Sequence, residues 1–373
     1  MDPRRRKGSP EFSGRSGWPD LPPELLEGIM KLLTPLDRVT IRLVCSSWRT
    51  CARASFPSDL PFEAPRLLLR RPGGGLGFFS LRRGEILPFA LPARLSAARC
   101  CGHIGGWLAM AFDEDREIAL CNVTSGESVA VPRAPVFPVA KVVVSAPPTT
   151  RGWVVAVLGR SGTIALLQPD AEGARWMTME EKGAKHGGFE DMAIWRGRLC
   201  ALGGDGTVVA YRVSLRARVA AASVLRAAQH PVGYAAAVAP GQHRVRGRLW
   251  MYLVVDGSGE LVVVRREYRV RRDAVDVEVE VFRFAAEERK WEAVEELPGQ
   301  ALFVGSVASV AARATAGSGI RENCVYMARR EVELVVPHAI SVYSLADGEA
   351  AGRAISGGHS FAAEPVWINP SLA

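Results

Sequence analysis

Apolar residues between positions 18 and 56 recur at the spacing of an amphipathic α-helix. Pro22 and Pro23 lie where a first helix would begin, and a missing backbone N–H costs nothing there. Thr34 precedes a proline, and such a residue avoids the helical region of φ and ψ, so this helix should end there. The sequence therefore predicts a first helix whose apolar stripe is made of Leu21, Leu25, Leu26, Ile29, Leu32 and Leu33.

Two further helices are predicted before residue 57. Thr34 can cap the second helix, with Asp37 three residues after the cap. Ser46 can cap a third, short helix that carries Trp48, and Pro57 closes the segment. The stripe of the second helix consists of Leu36, Val39, Leu43 and Val44. Three helices in about 35 residues cannot bury all these leucines, so part of the apolar face must meet a partner or the rest of the chain.

From about residue 62 the apolar period changes to two, which is typical of β-strands. Residues 152–158 and 261–264 are apolar runs of strand length, and in 275–281 valines alternate strictly with acidic residues. Glycine-rich turn signals separate the runs and lie at 73–75, 161–162, 203–206, 256–259 and 347–348. The stretch 217–228 is the one candidate for a longer helix after residue 62.

A loose repeat runs through this second part of the chain. Each instance has an apolar strand, a glycine-rich hairpin and a second apolar strand, at spacings of about 33 to 60 residues. The instances begin near Arg66, Gly106, Val139, Phe189, Arg248 and Leu302. This pattern predicts a β-propeller of about six blades, and two packed β-sandwiches are the alternative. The apolar residues Phe361, Val366, Trp367 and Ile368 should complete the blade that begins near Arg66.

Composition is that of an ordinary globular protein. The 373 residues are 48% hydrophobic and 23% charged, and 47 basic against 39 acidic residues give a net charge of +8. This excess is mild and forms no dense basic stripe, so nucleic-acid binding is not expected. No apolar run reaches the ~18 residues of a membrane span. Residues 1–17 hold almost nothing apolar and predict a disordered tail, within which residues 8–12 resemble a cloning remnant.

Candidate chemistry is sparse. The seven cysteines form no C-x-x-C pair, which argues against a zinc site and favours buried free thiols in a reducing compartment. No secretory signal is recognised, so the nucleus, the cytoplasm or both are expected. The six histidines are dispersed, and metalloprotease, hydrolase and Walker A motifs are absent from the sequence. We therefore expect no metal, no cofactor and no catalytic residue.

The first segment resembles an F-box. The residues that carry the resemblance follow its order and spacing: Leu21-Pro22-Pro23-Glu24-Leu25-Leu26, Ile29, Leu32-Leu33, Leu36-Asp37, Arg42-Leu43-Val44-Cys45 and Trp48-Arg49. Gly28 departs from the usual residue types and should cost about 1 kcal/mol within the helix.

The remainder resembles the KIB-type β-propeller that follows the F-box in a large plant family. The matching pieces fall in the family's order: Gly106-Trp107-Leu108, 122–132, Phe189-Glu190-Asp191, Gly197-Arg198-Leu199, Tyr252-Leu253-Val254, Leu302-Phe303-Val304-Gly305, Asn323-Cys324-Val325-Tyr326, Pro365-Val366-Trp367 and Pro370-Ser371-Leu372. The stretch 205–250 departs most from the family pattern.

The resemblance implies an α plus all-β protein with four segments. These are a disordered tail at 1–17, a three-helix F-box at 18–56, a linker at 57–65 and the propeller at 66–373.

The same resemblance implies a substrate-recognition subunit of an SCF (cullin–RING) ubiquitin ligase. In such a subunit the F-box docks a Skp-type adaptor, and cullin through it, while the propeller binds a target protein and other subunits perform the chemistry. The implied adaptor contacts are Leu21, Pro22, Leu25, Leu26, Ile29, Leu32, Leu33, Leu36, Val44 and Trp48. The competing hypotheses are an Arg-rich nucleic-acid-binding propeller and an enzymatic propeller, both without a ligase role.

Overall fold

The computed structural model divides the chain into two compact units, residues 1–61 and 62–373. It describes residues 17–18, 21–32, 41, 44–55, 64–70, 75–82, 84–89, 95, 97–112, 116–123, 126–179, 188–204, 206–212, 248–270, 275–315, 318–328, 339–354 and 364–369. The predicted tail and most of the predicted linker lie outside these residues, as do the candidate helix at 217–228 and Phe361, so those predictions stand as predictions.

The first unit contains two helices among its described residues. Helix α1 spans Pro23–Leu32 and helix α2 spans Ser46–Ser55. The N–H of Leu26 donates to the carbonyl of Pro22 at 3.1 Å. Pro23 therefore occupies the first helical position, where the sequence predicts proline.

Most of the second predicted helix lies outside the described residues. Ile41, which belongs to that stretch, is buried, and its carbonyl accepts the N–H of Val44 at 3.1 Å. The core of the unit is formed by Leu26, Met30, Ile41, Trp48 and Ala52.

Cys45 caps α2. Its Sγ accepts the N–H of Trp48 at 3.5 Å, and its carbonyl accepts the N–H of Arg49 at 3.0 Å. Ser46, which the sequence suggests as the cap, is the first residue of the helix instead. The helix begins one residue earlier than predicted because the thiol reaches the backbone donor that a serine hydroxyl would otherwise bind.

The described part of the second unit holds 24 strands in six sheets. Blade 1 consists of β1 (Arg66–Arg70), β2 (Leu76–Phe79), β3 (Ile86–Phe89) and the last strand, β24 (Val366–Ile368). Blade 2 consists of β4 (Arg99–Ile104), β5 (Trp107–Phe112), β6 (Glu117–Asn122) and β7 (Ser128–Val131). Blade 3 consists of β8 (Val139–Val144), β9 (Val155–Gly159), β10 (Ile164–Leu167) and β11 (Met177–Met179).

The remaining blades follow in chain order. Blade 4 has three described strands, β12 (Phe189–Trp195), β13 (Arg198–Gly203) and β14 (Val208–Arg212). Blade 5 consists of β15 (Arg248–Val255), β16 (Leu261–Val270), β17 (Val275–Ala285) and β18 (Lys290–Ala293). Blade 6 consists of β19 (Gln300–Val304), β20 (Val310–Arg313), β21 (Cys324–Ala328), β22 (Ala339–Ser344) and β23 (Ala350–Ala354). The fold is thus the predicted six-bladed propeller, and the sandwich alternative is wrong.

The blades begin close to the predicted repeat starts, with one instructive exception. The start predicted at Gly106 falls at β5, one strand late, because β4 has no apolar run. A Cβ added at Gly102 of β4 would lie 2.0 Å from the carbonyl oxygen of Val142 on blade 3. Glycine is therefore required where the two blades approach closely, and it weakens the strand pattern that the sequence displays.

Apolar residues on both faces of each blade build the core. In β1, Leu67 and Leu69 pack against blade 6, whereas Leu68 packs against blade 2. Successive side chains of a strand point to opposite faces, so the middle of β1 is apolar on both faces. Six clusters of this kind join each blade to the next around the ring.

The last strand closes the ring, as the sequence predicts. β24 pairs antiparallel with β1, with Leu67 opposite Trp367. The Trp367 side chain is fully buried and meets the Phe303 ring of blade 6 at 4.9 Å between centroids in an edge-to-face arrangement. Blade 1 is therefore built from both ends of the propeller segment.

Blade 6 contains a parallel strand pair that the sequence does not predict. β19 pairs antiparallel with β20 on one side and parallel with β21 on the other, where Leu302 is opposite Val325. After β19 the chain thus turns back as β20 and then crosses to the far side of β19.

Candidate functional site

Helix α1 carries two neighbouring apolar stripes. Leu26 and Met30 face the core and are 1% and 0% exposed. Leu25, Ile29 and Leu32 stand at positions i, i+4 and i+7, so they share another face, about 100° around the helix from the first. These three residues are called the outer stripe below.

The outer stripe is open to solvent. Leu32 is 89% exposed and Leu25 is 59% exposed, while Ile29 is half-buried between them. Val44 and Trp18 add two further exposed apolar side chains to this unit. Scattered exposed leucines are ordinary, but an i, i+4, i+7 row is the pattern with which an amphipathic helix fills an apolar groove of a partner.

The buried Trp48 holds the segment that precedes α1. Its indole Nε1–H donates to the carbonyl of Trp18 at 2.8 Å, and the two rings meet at 6.4 Å in an edge-to-face arrangement. Trp18 lies in the predicted F-box at 18–56 but is not among its predicted contact residues. Its signal was an aromatic residue just ahead of Leu21 and Pro22.

The structure describes eight of the ten predicted contact residues, and these fall into three groups. Leu26 and Trp48 belong to the unit's own core, so in this conformation their side chains are not available to a partner. Leu21 and Ile29 are half-buried, and the exposed members are Pro22, Leu25, Leu32 and Val44. Leu33 and Leu36 lie outside the described residues.

A surface of this composition can bind an apolar partner. It offers aliphatic side chains, each of which stabilises a complex by about 1.5–3 kcal/mol when it becomes fully buried. Its affinity would be set by how completely a partner covers the outer stripe.

The propeller has a second candidate site, a central cavity of about 480 Å³. Residues of β4, β8, β12, β15 and β20 line it, together with Asn369. Its polar side chains include His103 and Lys141. The Lys141 ammonium is buried and bonds Asp191 Oδ1 at 2.6 Å, while Asp191 Oδ2 accepts the backbone N–H of Leu253 at 2.7 Å. This carboxylate therefore joins blades 3, 4 and 5.

Two buried thiols lie between the blades, Cys100 between blades 1 and 2 and Cys200 between blades 4 and 5. Burial raises the pKa of the Cys100 thiol to about 11 and that of Cys200 to about 12, so both stay protonated at neutral pH. Within the described residues, no group of three or more His, Cys, Asp or Glu side chains is placed to hold a metal ion. Five of the six histidines lie outside the described residues.

His103 should make the propeller sensitive to acid. Burial, and next the charge of Lys141, lower the pKa of this imidazole from its ordinary 6.5 to about 4, despite hydrogen bonding to the backbone of Trp367. Between these two values the unfolded chain binds a proton at this side chain that the folded chain does not. The free energy of unfolding should therefore fall as the pH falls from 6.5 to about 4. Urea unfolding of wild type and His103→Gln across this range measures the effect.

Wild type serves as the control, because the two proteins share every titratable group except the imidazole of His103. We expect a shallower decline of stability in His103→Gln. Identical slopes would mean that His103 is protonated to the same extent in both states.

The similarity to solved structures is distant. The N-terminal domain of Nup159 is 10% identical, with 82% of each chain covered and a TM-score of 0.36. The Cps50 (Swd1) β-propeller domain from Myceliophteria thermophila is 12% identical, with 78% of this chain and 86% of that chain covered and a TM-score of 0.37. No curated protein matches the chain.

The described helices offer no segment long and apolar enough to cross a membrane. The plant origin that the sequence resemblance suggests is not tested by any of these similarities and stays a prediction.

Two family models account for most of the sequence. The F-box domain model matches residues 18–55, the unit that presents the outer stripe. The KIB1-4 β-propeller model matches residues 78–344, from blade 1 to blade 6. An F-box ahead of a propeller is the architecture of SCF-type substrate receptors, and by the extent of the second match this chain belongs to the KIB1-4 β-propeller family.

Proposed function

We propose that this protein is the substrate-recognition subunit of an SCF (cullin–RING) ubiquitin ligase. The F-box binds a Skp-type adaptor through the outer stripe, and cullin joins through the adaptor. The propeller binds a target protein. The observation that carries the proposal is the outer stripe itself, since Leu25 and Leu32 are exposed and lie outside the core cluster that the described residues of this unit form.

The division of α1 into two stripes supports this role. Leu26 and Met30 hold the unit together, so the outer stripe contributes little to its folding and remains available for binding. An interface of this kind gains most of its affinity from a few apolar anchors at its centre. In this proposal other subunits perform the catalytic steps of ubiquitin transfer, so this protein requires no cofactor. We expect the protein in the nucleus, the cytoplasm or both.

Replacing Leu32 by Asp should abolish adaptor binding without unfolding the protein. A carboxylate forced into an apolar groove costs about 3 kcal/mol or more, which corresponds to a loss of affinity above a hundredfold. Leu25→Asp should act in the same way. Calorimetric titration of the full-length chain with the Skp-type adaptor measures the affinity, and circular dichroism melts monitor folding.

Two controls separate binding from folding. Leu32→Met keeps an apolar side chain of similar volume, so its affinity should stay near that of wild type. Leu26→Ala removes a core side chain and should destabilise the helical unit by about 2–5 kcal/mol, which lowers binding together with helicity. Unchanged adaptor affinity in both Leu25→Asp and Leu32→Asp would refute the proposed docking surface.

A further inference from the structure

The central cavity of the propeller has a buried end and an open end. Along β8, Lys141 is buried, whereas Ser145, just after the strand, is exposed. Along β12, Met192 is buried and Ile194 is half-buried. All four residues line the cavity. The lining becomes more exposed towards the carboxyl ends of these strands, so the cavity opens there and Lys141 lies at its buried end.

The ammonium of Lys141 has more donors than the surrounding chain has acceptors. Its side chain is only 6% exposed. An ammonium can donate three hydrogen bonds, and among the residues that the structure describes only Asp191 accepts one, through Oδ1 at 2.6 Å. A buried ion pair is stable when further hydrogen bonds satisfy its remaining protons. An oxygen acceptor in the buried end of the cavity would provide such a bond.

The buried end of the cavity carries no net charge. The charges of Lys141 and Asp191 offset each other. His103 is the other titratable side chain of the lining. Burial, and next the charge of Lys141, lower its pKa to about 4, so it is uncharged at neutral pH. A charged molecule would lose its hydration here without gaining a counter-charge, and the cavity therefore favours a neutral one.

Aliphatic side chains form much of the cavity wall. Each of them is half-buried, and they come from five different blades: Ile104, Val143, Ile194, Val255 and Val310. Such a wall favours the hydrocarbon part of a ligand over water. The volume of about 480 Å³ lies within the range of about 300–1,000 Å³ that is usual for small-molecule sites.

We propose that the central cavity binds a small neutral molecule with an aliphatic body and a hydroxyl or carbonyl oxygen. The oxygen accepts a hydrogen bond from Lys141, and the body packs against the aliphatic wall. A largely apolar pocket with a few placed polar groups is typical of small-molecule sites. No residue of the F-box takes part, so this inference goes beyond the proposed ligase role and does not depend on it.

Probes that share one cyclohexane ring test the chemistry of the ligand. Cyclohexanol and cyclohexanone carry the oxygen acceptor, cyclohexanecarboxylate is an anion, and cyclohexylammonium is a cation. Ligand-observed NMR on the full-length chain at neutral pH measures each dissociation constant. The two neutral probes should bind with millimolar affinity, as suits such small molecules. Each charged probe should bind at least about tenfold more weakly, and equal affinity for neutral and charged probes would overturn the proposal.

The imidazole of His103 reports where the probe binds. This side chain lines the cavity, so cyclohexanol should shift its NMR signals. The signals are assigned by their loss in His103→Gln. Binding that leaves them unchanged would place the probe elsewhere on the protein and would contradict the proposal.

Two sets of variants assign the binding to the cavity. Lys141→Met together with Asp191→Leu removes the donor and both charges, so cyclohexanol should bind about tenfold more weakly. Ala311 also lines the cavity. Ala311→Phe should fill the cavity and abolish binding, whereas Ala311→Ser changes the volume little and should bind like wild type. The comparison at Ala311 carries the test even if the double variant fails a melting control.

The remaining outcomes also decide the matter. If neither cyclohexanol nor cyclohexanone binds, the cavity holds only water and the proposal is wrong. Affinity for cyclohexanol that is unchanged in both the double variant and Ala311→Phe would equally refute it. Leu32→Asp should bind cyclohexanol like wild type, because its substitution lies in the other compact unit. Failure of adaptor binding and failure of ligand binding are therefore distinguishable.

Discussion

A chain that ends at Gly358 should fail to form a stable propeller. The deletion removes β24, whose pairing with β1 closes blade 1. It also removes the fully buried Trp367, and loss of a buried tryptophan side chain alone costs about 3–5 kcal/mol. The apolar edge of β1 would then face water, and such an edge promotes aggregation. We expect insoluble protein, or a melting temperature far below that of the full chain.

A matched deletion makes this result specific. A chain that ends at Asn369 lacks only residues 370–373 and keeps all of β24, so its melting temperature should equal that of the full chain. The melting temperature of Trp367→Ala should lie between those of the two shortened chains. A chain ending at Gly358 that melts like the full-length protein would disprove the closure of the ring by this strand.

Replacing Asp191 by Ala should destabilise the propeller by about 3–5 kcal/mol, because it leaves the buried ammonium of Lys141 without its counter-charge. The backbone N–H of Leu253 would also lose its acceptor. Three blades meet at this one carboxylate. The change should therefore lower the cooperativity of unfolding as well as the denaturant concentration at the unfolding midpoint. Chemical denaturation followed by tryptophan fluorescence measures both.

A double variant separates the charge from the hydrogen bond. Replacing the pair by Lys141→Met and Asp191→Leu removes both charges, and such replacements are often neutral or stabilising. The double variant should therefore recover much of the stability lost in Asp191→Ala, except for the share due to the Leu253 N–H. A double variant as unstable as Asp191→Ala would mean that the hydrogen bonds of Asp191, and not its ion pair, hold the blades together.

Most of the fold was predictable because propeller blades repeat a strong local signal. Apolar strands buried on both faces alternate with turns that need glycine, as at Gly162 and Gly259, where φ is +80° and +85°. Closure by residues 366–368 followed from apolar residues that are unusual in a free tail and from the need of a propeller to leave no open edge. The parallel pairing of β19 with β21 was not predictable. Local sequence patterns predict strands and turns, but they do not indicate which edge of an earlier strand a later strand will pair with.

The candidate site was predicted as a set but not residue by residue. Leu25 and Leu26 are adjacent leucines in one helix, and periodicity alone assigns either stripe to the core. The structure resolves this because Met30 and Trp48 pack with Leu26. The ion pair of Asp191 was not predicted. A charged residue in a strand is normally expected at the surface, and its partner Lys141 lies 50 residues away in the sequence.

The buried thiols of the propeller can be used to measure how readily each blade opens locally. Cys101 lies in blade 2, Cys200 in blade 4 and Cys324 in blade 6, and all three are buried thiols outside any disulfide bond. A thiol reagent reaches such a side chain only when the surrounding structure opens. Pulsed alkylation followed by mass spectrometry would therefore rank the blades by local stability without any engineered probe. In the same experiment the half-buried Cys45 and Cys51 would report on the helical unit.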